Sequence, residues 1–154
     1  MKIRTRNSSG FTLTELMIVV MTIGMLASIA GPMFMRYQKK GQNGAFIANL
    51  RIASDAFVMY SFENGRYPAN ASAGTVPGGM DSYLQRFAWT KETPIGGSWN
   101  WDNNVHGYKA GVAVSLPTAD IPQLTEIDAA IDDGDLSKGR FRIRPNGYVF
   151  VLEE

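Results

Sequence analysis

Cysteine is absent from the 154 residues. That excludes disulfide staples and any thiolate metal or redox site, so the fold must hold by packing, hydrogen bonds or a bound ion. Histidine occurs once, at His106. There is therefore no histidine pair for a transition metal, and no Ser/His/Asp set is tied together by a motif. Glycine is plentiful at 16 residues, yet no glycine-rich phosphate loop stands between a strand pattern and a helix pattern. An excess of charge of one sign is missing too: 15 Lys and Arg face 14 Asp and Glu, for a net charge of +1. A chain this close to neutral lacks the basic field on which a nucleic-acid binder relies, and no nucleic-acid partner is expected. Together these absences predict a chain without enzymatic activity.

What is present begins with a polar, basic stretch, residues 1–10, carrying Lys2, Arg4 and Arg6. Phe11 to Met35 is then almost wholly apolar. Its core from Leu16 is about 20 residues long, enough to cross a bilayer as a helix at about 1.5 Å per residue. Positive charge ahead of the span keeps that end cytoplasmic, although Arg36, Lys39 and Lys40 follow it. A secretory signal would have a shorter apolar stretch and a small-residue cleavage site after it, which Gly31-Pro32-Met33 does not supply. A plain anchor accounts for the length but not for Glu15, a carboxylate just inside the apolar entrance. Such a group costs on the order of a few kcal/mol in lipid and reads as functional, or as a charge that snorkels to the interface.

Gly10-Phe11-Thr12-Leu13-Thr14-Glu15, followed by the apolar run, resembles the type IV prepilin cleavage and methylation motif, and Pro32 matches a proline common about twenty residues into the mature chain. The resemblance covers roughly residues 5–40 and is departed from at Thr14, where an apolar residue is commoner. It implies that a prepilin peptidase cuts between Gly10 and Phe11, that Phe11 is then N-methylated, and that Glu15 serves assembly. It also implies the partners: further copies in a homo-polymer, an inner-membrane assembly platform, minor pilins or pseudopilins, and membrane lipid before assembly. The physics is consistent with this. Cleavage makes Phe11 a cationic amine, and an amine and a carboxylate in apolar surroundings are costly alone but tolerable as a pair. Glu15 meeting the Phe11 amine of a neighbour would set axial register, as one polar residue does in a coiled coil.

The helix is expected to continue past Pro32, which would kink or loosen it. Phe46, Leu50, Ala53, Phe57 and Tyr60 recur at steps of four and three, giving one apolar face, and Asn64-Gly65 is a stop signal. Tyr60 to Pro68 resembles the helix end of major pseudopilins of type II secretion. The stretch Ala69 to Gly79 reads as loop. Asp81 to Trp89 is expected to form a short helix capped by Asp81 or Ser82. Trp99 and Trp101 share one side if extended, either as core packing or as an aromatic platform. Tyr108 to Leu116 has strand alternation. A helix capped by Thr118 or Asp120, with Pro122 in its first turn, ends at Gly134. A hairpin turning at Pro145-Asn146-Gly147 closes the chain, with Phe141, Ile143, Tyr148, Phe150 and Leu152 packing. Arg140, Arg142 and Arg144 should face solvent or an acidic neighbour. Asp132, Asp133 and Asp135 around Gly134 offer hard oxygen ligands suited to calcium, or form a solvated cluster at a helix end. Major pseudopilins often carry a calcium site in this region, so the resemblance strengthens the first reading, while the spacing is not that of an EF-hand loop and acids at a helix end are commonly just solvated.

The expected fold class is α+β, with one helix about 50 residues and about 75 Å long packed on a small antiparallel sheet. The organisation is a leader over 1–10, a transmembrane and assembly half over 11–35, an amphipathic half over 36–64 and a head over 65–154. The function implied is a structural subunit of a type II secretion pseudopilus or type IV pilus. It would sit in a bacterial inner membrane with a cytoplasmic N-terminus and a periplasmic or extracellular head. The alternative is a minor pilin acting in binding, adhesion or DNA uptake.

Overall fold

A computed structural model of the chain describes residues 10–85 and 87–154. The leader, with Lys2, Arg4 and Arg6, lies outside the described residues except for Gly10. Helix α1, Leu13–Asn64, runs for 52 residues without interruption at Pro32 and ends before Gly65, whose φ of 67° turns the chain out. The chain divides into two compact units between Gln38 and Lys39. Up to Gln38 every described residue is exposed.

In the second unit β1 (Ser98–Val105), β2 (Tyr108–Ser115), α2 (Ile121–Ile131), β3 (Phe141–Arg144) and β4 (Gly147–Glu153) follow in order. The strands form one antiparallel sheet, β1-β2-β4-β3. The expected face of α1 packs on it. Phe46, Leu50, Ala53 and Phe57 are buried, and Tyr60 lies against them. Phe46 stacks on Trp99 at 5.3 Å and Phe57 on Trp101 at 3.8 Å, both within 3° of parallel. The two tryptophans share a side because successive residues of a strand alternate, and they are core residues. Asp120 caps α2 by accepting from Gln123 N–H at 3.1 Å, with Pro122 in the first turn. Asn146, at φ 62°, makes the last hairpin's turn.

Two expectations are corrected, and one pair of alternatives is decided. Residues 81–85 and 87–89 form turns and bends rather than a helix. Leu84 and Trp89 are drawn into the core, and Trp89 donates its indole N–H to Thr75 O at 2.8 Å; the stretch is too short for helix formation to outweigh that packing. Of the two places expected for it, Arg144 takes the acidic neighbour: its side chain is 6% exposed, and its Nε lies 3.2 Å from Asp102 Oδ2, without hydrogen-bond alignment. Its Nη2 donates to Ser115 Oγ at 2.6 Å. Asp102 also accepts from the Tyr108 hydroxyl at 2.6 Å and from Asn100 Nδ2 at 2.8 Å. Burial and this hydrogen bond to a carboxylate push the Tyr108 hydroxyl well above its ordinary pKa. Lastly, Ile143 is exposed, while Val149 and Val151 are buried with Tyr108 and Ala113 on the sheet's other side. Both faces of the sheet are therefore packed.

Candidate assembly helix and acidic turn

The start of α1 is built by two side chains. Thr12 is the cap. Its Oγ1 accepts from Glu15 N–H at 3.3 Å, and Glu15 Oε2 accepts from Thr12 N–H at 2.9 Å and from Thr12 Oγ1–H at 2.6 Å. This reciprocal arrangement is a capping box, and it satisfies donors that the first turn otherwise leaves orphaned. Glu15 thus has a local role beside the one its charge suggests. The Thr-x-x-Glu spacing is the sequence signal for it. Gly10 and Phe11 stand just outside the helix, and Phe11 is 76% exposed. Beyond Glu15 the apolar residues go all round the helix: Leu16, Met17, Ile18, Val20 and Met21 are all exposed. A helix apolar on every side belongs among other helices or in lipid. Among the described residues α1 is the one helix long and apolar enough to cross a membrane. Pro32 lies inside it, exposed.

The second site is in the head. Asp128 on the last turn of α2 and Asp132 at its C-cap are four residues apart, so they rise on one side of the helix. Asp128, Asp132 and Asp133 each bring a carboxylate oxygen within 4.8 Å of the other two. Asp128 is fully buried, and neither of its oxygens makes an aligned hydrogen bond, although the Gly134 N–H is near enough to favour its charged form in part. Burial first, then the negative charges of Asp132, Asp133 and Asp135, raise its pKa to about 6. Asp135 stands beside the three but is engaged elsewhere. It accepts from Ser137 N–H at 3.1 Å and Ser137 Oγ–H at 2.6 Å, and pairs with Lys138 at 3.1 Å, which hold its pKa down at about 2. Asp128 carries none of the Asp-Asp-Gly-Asp signal, and only its spacing of four from Asp132 could have pointed to it. A buried carboxylate with no partner, aimed at two more, is the chemistry a hard cation satisfies, so the residues fit calcium.

The chain resembles curated proteins of two neighbouring kinds. It is 32% identical over 81 residues to type II secretion system core protein G of Aeromonas hydrophila, covering 53% of this chain and 52% of that one. It is 34% identical over 64 residues to the protein of the same name in Escherichia coli, covering 42% and 44%. To the type IV wide pilus major component of Thermus thermophilus it is 35% identical over 68 residues, covering 44% and 52%. The chain thus spans about half the length of the curated relatives it matches. No family model matches it, and no solved structure does. The likeness to type IV pilins and secretion pseudopilins, read first from Gly10-Phe11 and Glu15, is found again here, and the α+β arrangement of a long apolar helix on a four-stranded antiparallel sheet accompanies it.

Proposed function

We propose that this chain is a structural subunit of a type II secretion pseudopilus or type IV pilus, cleaved at Gly10–Phe11, N-methylated at Phe11 and polymerised through α1. The observation that carries the proposal is a single acid, Glu15, at the head of a helix apolar on every side and exposed along its length up to Gln38. Such a surface is stable only where lipid or like helices cover it and keep it out of water. The names of the relatives, a secretion system core protein and a pilus component, support the same reading. Before cleavage the chain is held in the inner membrane, N-terminus in the cytoplasm. After it, the Phe11 amine of one copy takes the place of Thr12 as partner to Glu15 of the next. A prepilin peptidase, an assembly platform and minor subunits act on it; it is their substrate and not itself an enzyme.

Mass spectrometry of native filaments tests this directly: the expected first residue is a methylated Phe11, from an abundant subunit. Filaments starting at Met1 would sink it. Glu15→Leu separates the role of the charge from the likeness, since it is expected to leave cleavage intact and abolish filaments.

We also propose that Asp128, Asp132 and Asp133, with Asp135 beside them, hold calcium. The ion would relieve the repulsion of adjacent carboxylates and fix the 132–139 turn. Isothermal calorimetry with calcium on the full chain in detergent is expected to give one site; no heat and no thermal shift would end this idea.

A further inference from the structure

A strand at the rim of a sheet offers unpaired amides to any other strand, and natural folds cover them. The two rims here are covered in different ways. β1 is covered by backbone: Gly74 N–H donates to Trp99 O at 2.7 Å, and Ala71 bridges Trp101. On β3, Arg140 O accepts from Val151 N–H of β4, which leaves the N–H groups of Phe141 and Ile143 turned outward. Ile143 N–H finds Leu136 O at 2.8 Å. Phe141 N–H finds a side chain, Asp132 Oδ2, at 3.1 Å, and Arg140 N–H donates to the same oxygen. The backbone is shaped for this. Gly139 has a φ of 74°, and a Cβ there would overlap the Asp132 carboxylate. Asp132 Oδ2 is thus committed to the rim, and no hydrogen bond among the described residues occupies Oδ1. The same carboxylate converges with Asp133 and the buried, unpartnered Asp128.

We propose that Asp132 links cation occupancy to closure of the β3 rim. With a hard divalent cation among Asp128, Asp132 and Asp133, the Asp132 carboxylate is fixed between the ion and the amides of Arg140 and Phe141. Without the cation, the charges of Asp128 and Asp133 push Asp132 away, the 132–139 turn loosens, and the amides of Phe141 and Ile143 are released. The inference rests on the calcium reading above.

Hydrogen exchange of the full chain in detergent micelles, resolved to single amides and run in calcium and in EGTA, tests it. Calcium is expected to slow exchange at Phe141 and Ile143 by about tenfold or more, and to leave Ala71 and Gly74 on the other rim within about twofold. Asp133→Asn removes a ligand but no rim hydrogen bond, and is expected to lose the calcium effect. Calorimetry on the same samples reads binding separately. Binding with unchanged exchange at Phe141 overturns the linkage and leaves the calcium site standing, whereas no binding overturns both. Asp132→Ala should exchange fast at Phe141 even in calcium; protection equal to the parent's would mean that another group closes the rim.

Discussion

Residues 13–38 and residues 39–154 are both rich in apolar side chains, and they treat them in opposite ways. In the first stretch Leu16, Met21, Leu26, Ile29 and Phe34 are all exposed; in the second Phe46, Phe57, Trp99, Trp101 and Val112 are all 1% exposed or less. The difference is one of arrangement rather than amount. Between Phe46 and Phe57 the apolar groups recur on one stripe of α1, so a sheet can cover them all. Between Leu16 and Met35 they point in every direction, and no single layer within one chain could cover them. The same helix is therefore a core element in one half and an unfilled surface in the other.

The sharpest break of this contrast is a matched pair of truncations. Trp101→Ala removes a ring stacked on Phe57 and a hydrogen bond to Pro68 O, and is expected to cost about 4 kcal/mol in urea denaturation of the detergent-solubilised chain. Met21→Ala, at a site 78% exposed, should change that stability by less than about 0.5 kcal/mol while weakening filament yield. Next in size is Arg144→Ala. It leaves Asp102 buried with an uncompensated charge and should cost about 3 kcal/mol, read in the same urea denaturation. Smaller, and opposite in sign, is Asp128→Asn. In EGTA it is expected to raise the melting temperature, by about 1.5 kcal/mol of stability, and in calcium to abolish the rise the parent shows. The smallest effect belongs to the exposed half. Thr12→Ala dismantles the capping box, about 1 kcal/mol, read as about fivefold faster amide exchange in the first turn of α1 with the head unchanged.

Much of this was legible because it is local. The stripe from Phe46 to Tyr60, the Asp120 cap with Pro122, and the Asn146-Gly147 turn each depend on residues within a few positions of one another. What was not legible depends on distant partners. Alternation along β3 tells that Arg142 and Arg144 share a side, but not that Asp102, on β1 at the other end of the strand order, lies within reach of the Arg144 guanidinium. Helix signals at Asp81 and Ser82 are real, yet Phe87 and Trp89 find Phe57 and Trp99 instead, and a helix of about two turns cannot compete with that. At the candidate sites the motif names Gly10, Phe11 and Glu15 as expectations, and of these the structure shows Glu15 in a local cap with Thr12. Asp128 stayed hidden because nothing in a run of residues says which of its acids is buried.

All three tryptophans of the chain, Trp89, Trp99 and Trp101, sit in one aromatic cluster of the head, each 1% exposed or less, with Trp89 and Trp99 6.1 Å apart. The membrane-length half has none. Tryptophan emission, excited at wavelengths where Tyr37 and Phe34 do not absorb, therefore observes the head alone, a built-in optical reporter that is blind to whatever the apolar half of α1 is doing. A shift in that signal during polymerisation would mean that the head's own interior rearranges, whereas a silent spectrum beside growing filaments would mean that the domain is carried along as a rigid passenger.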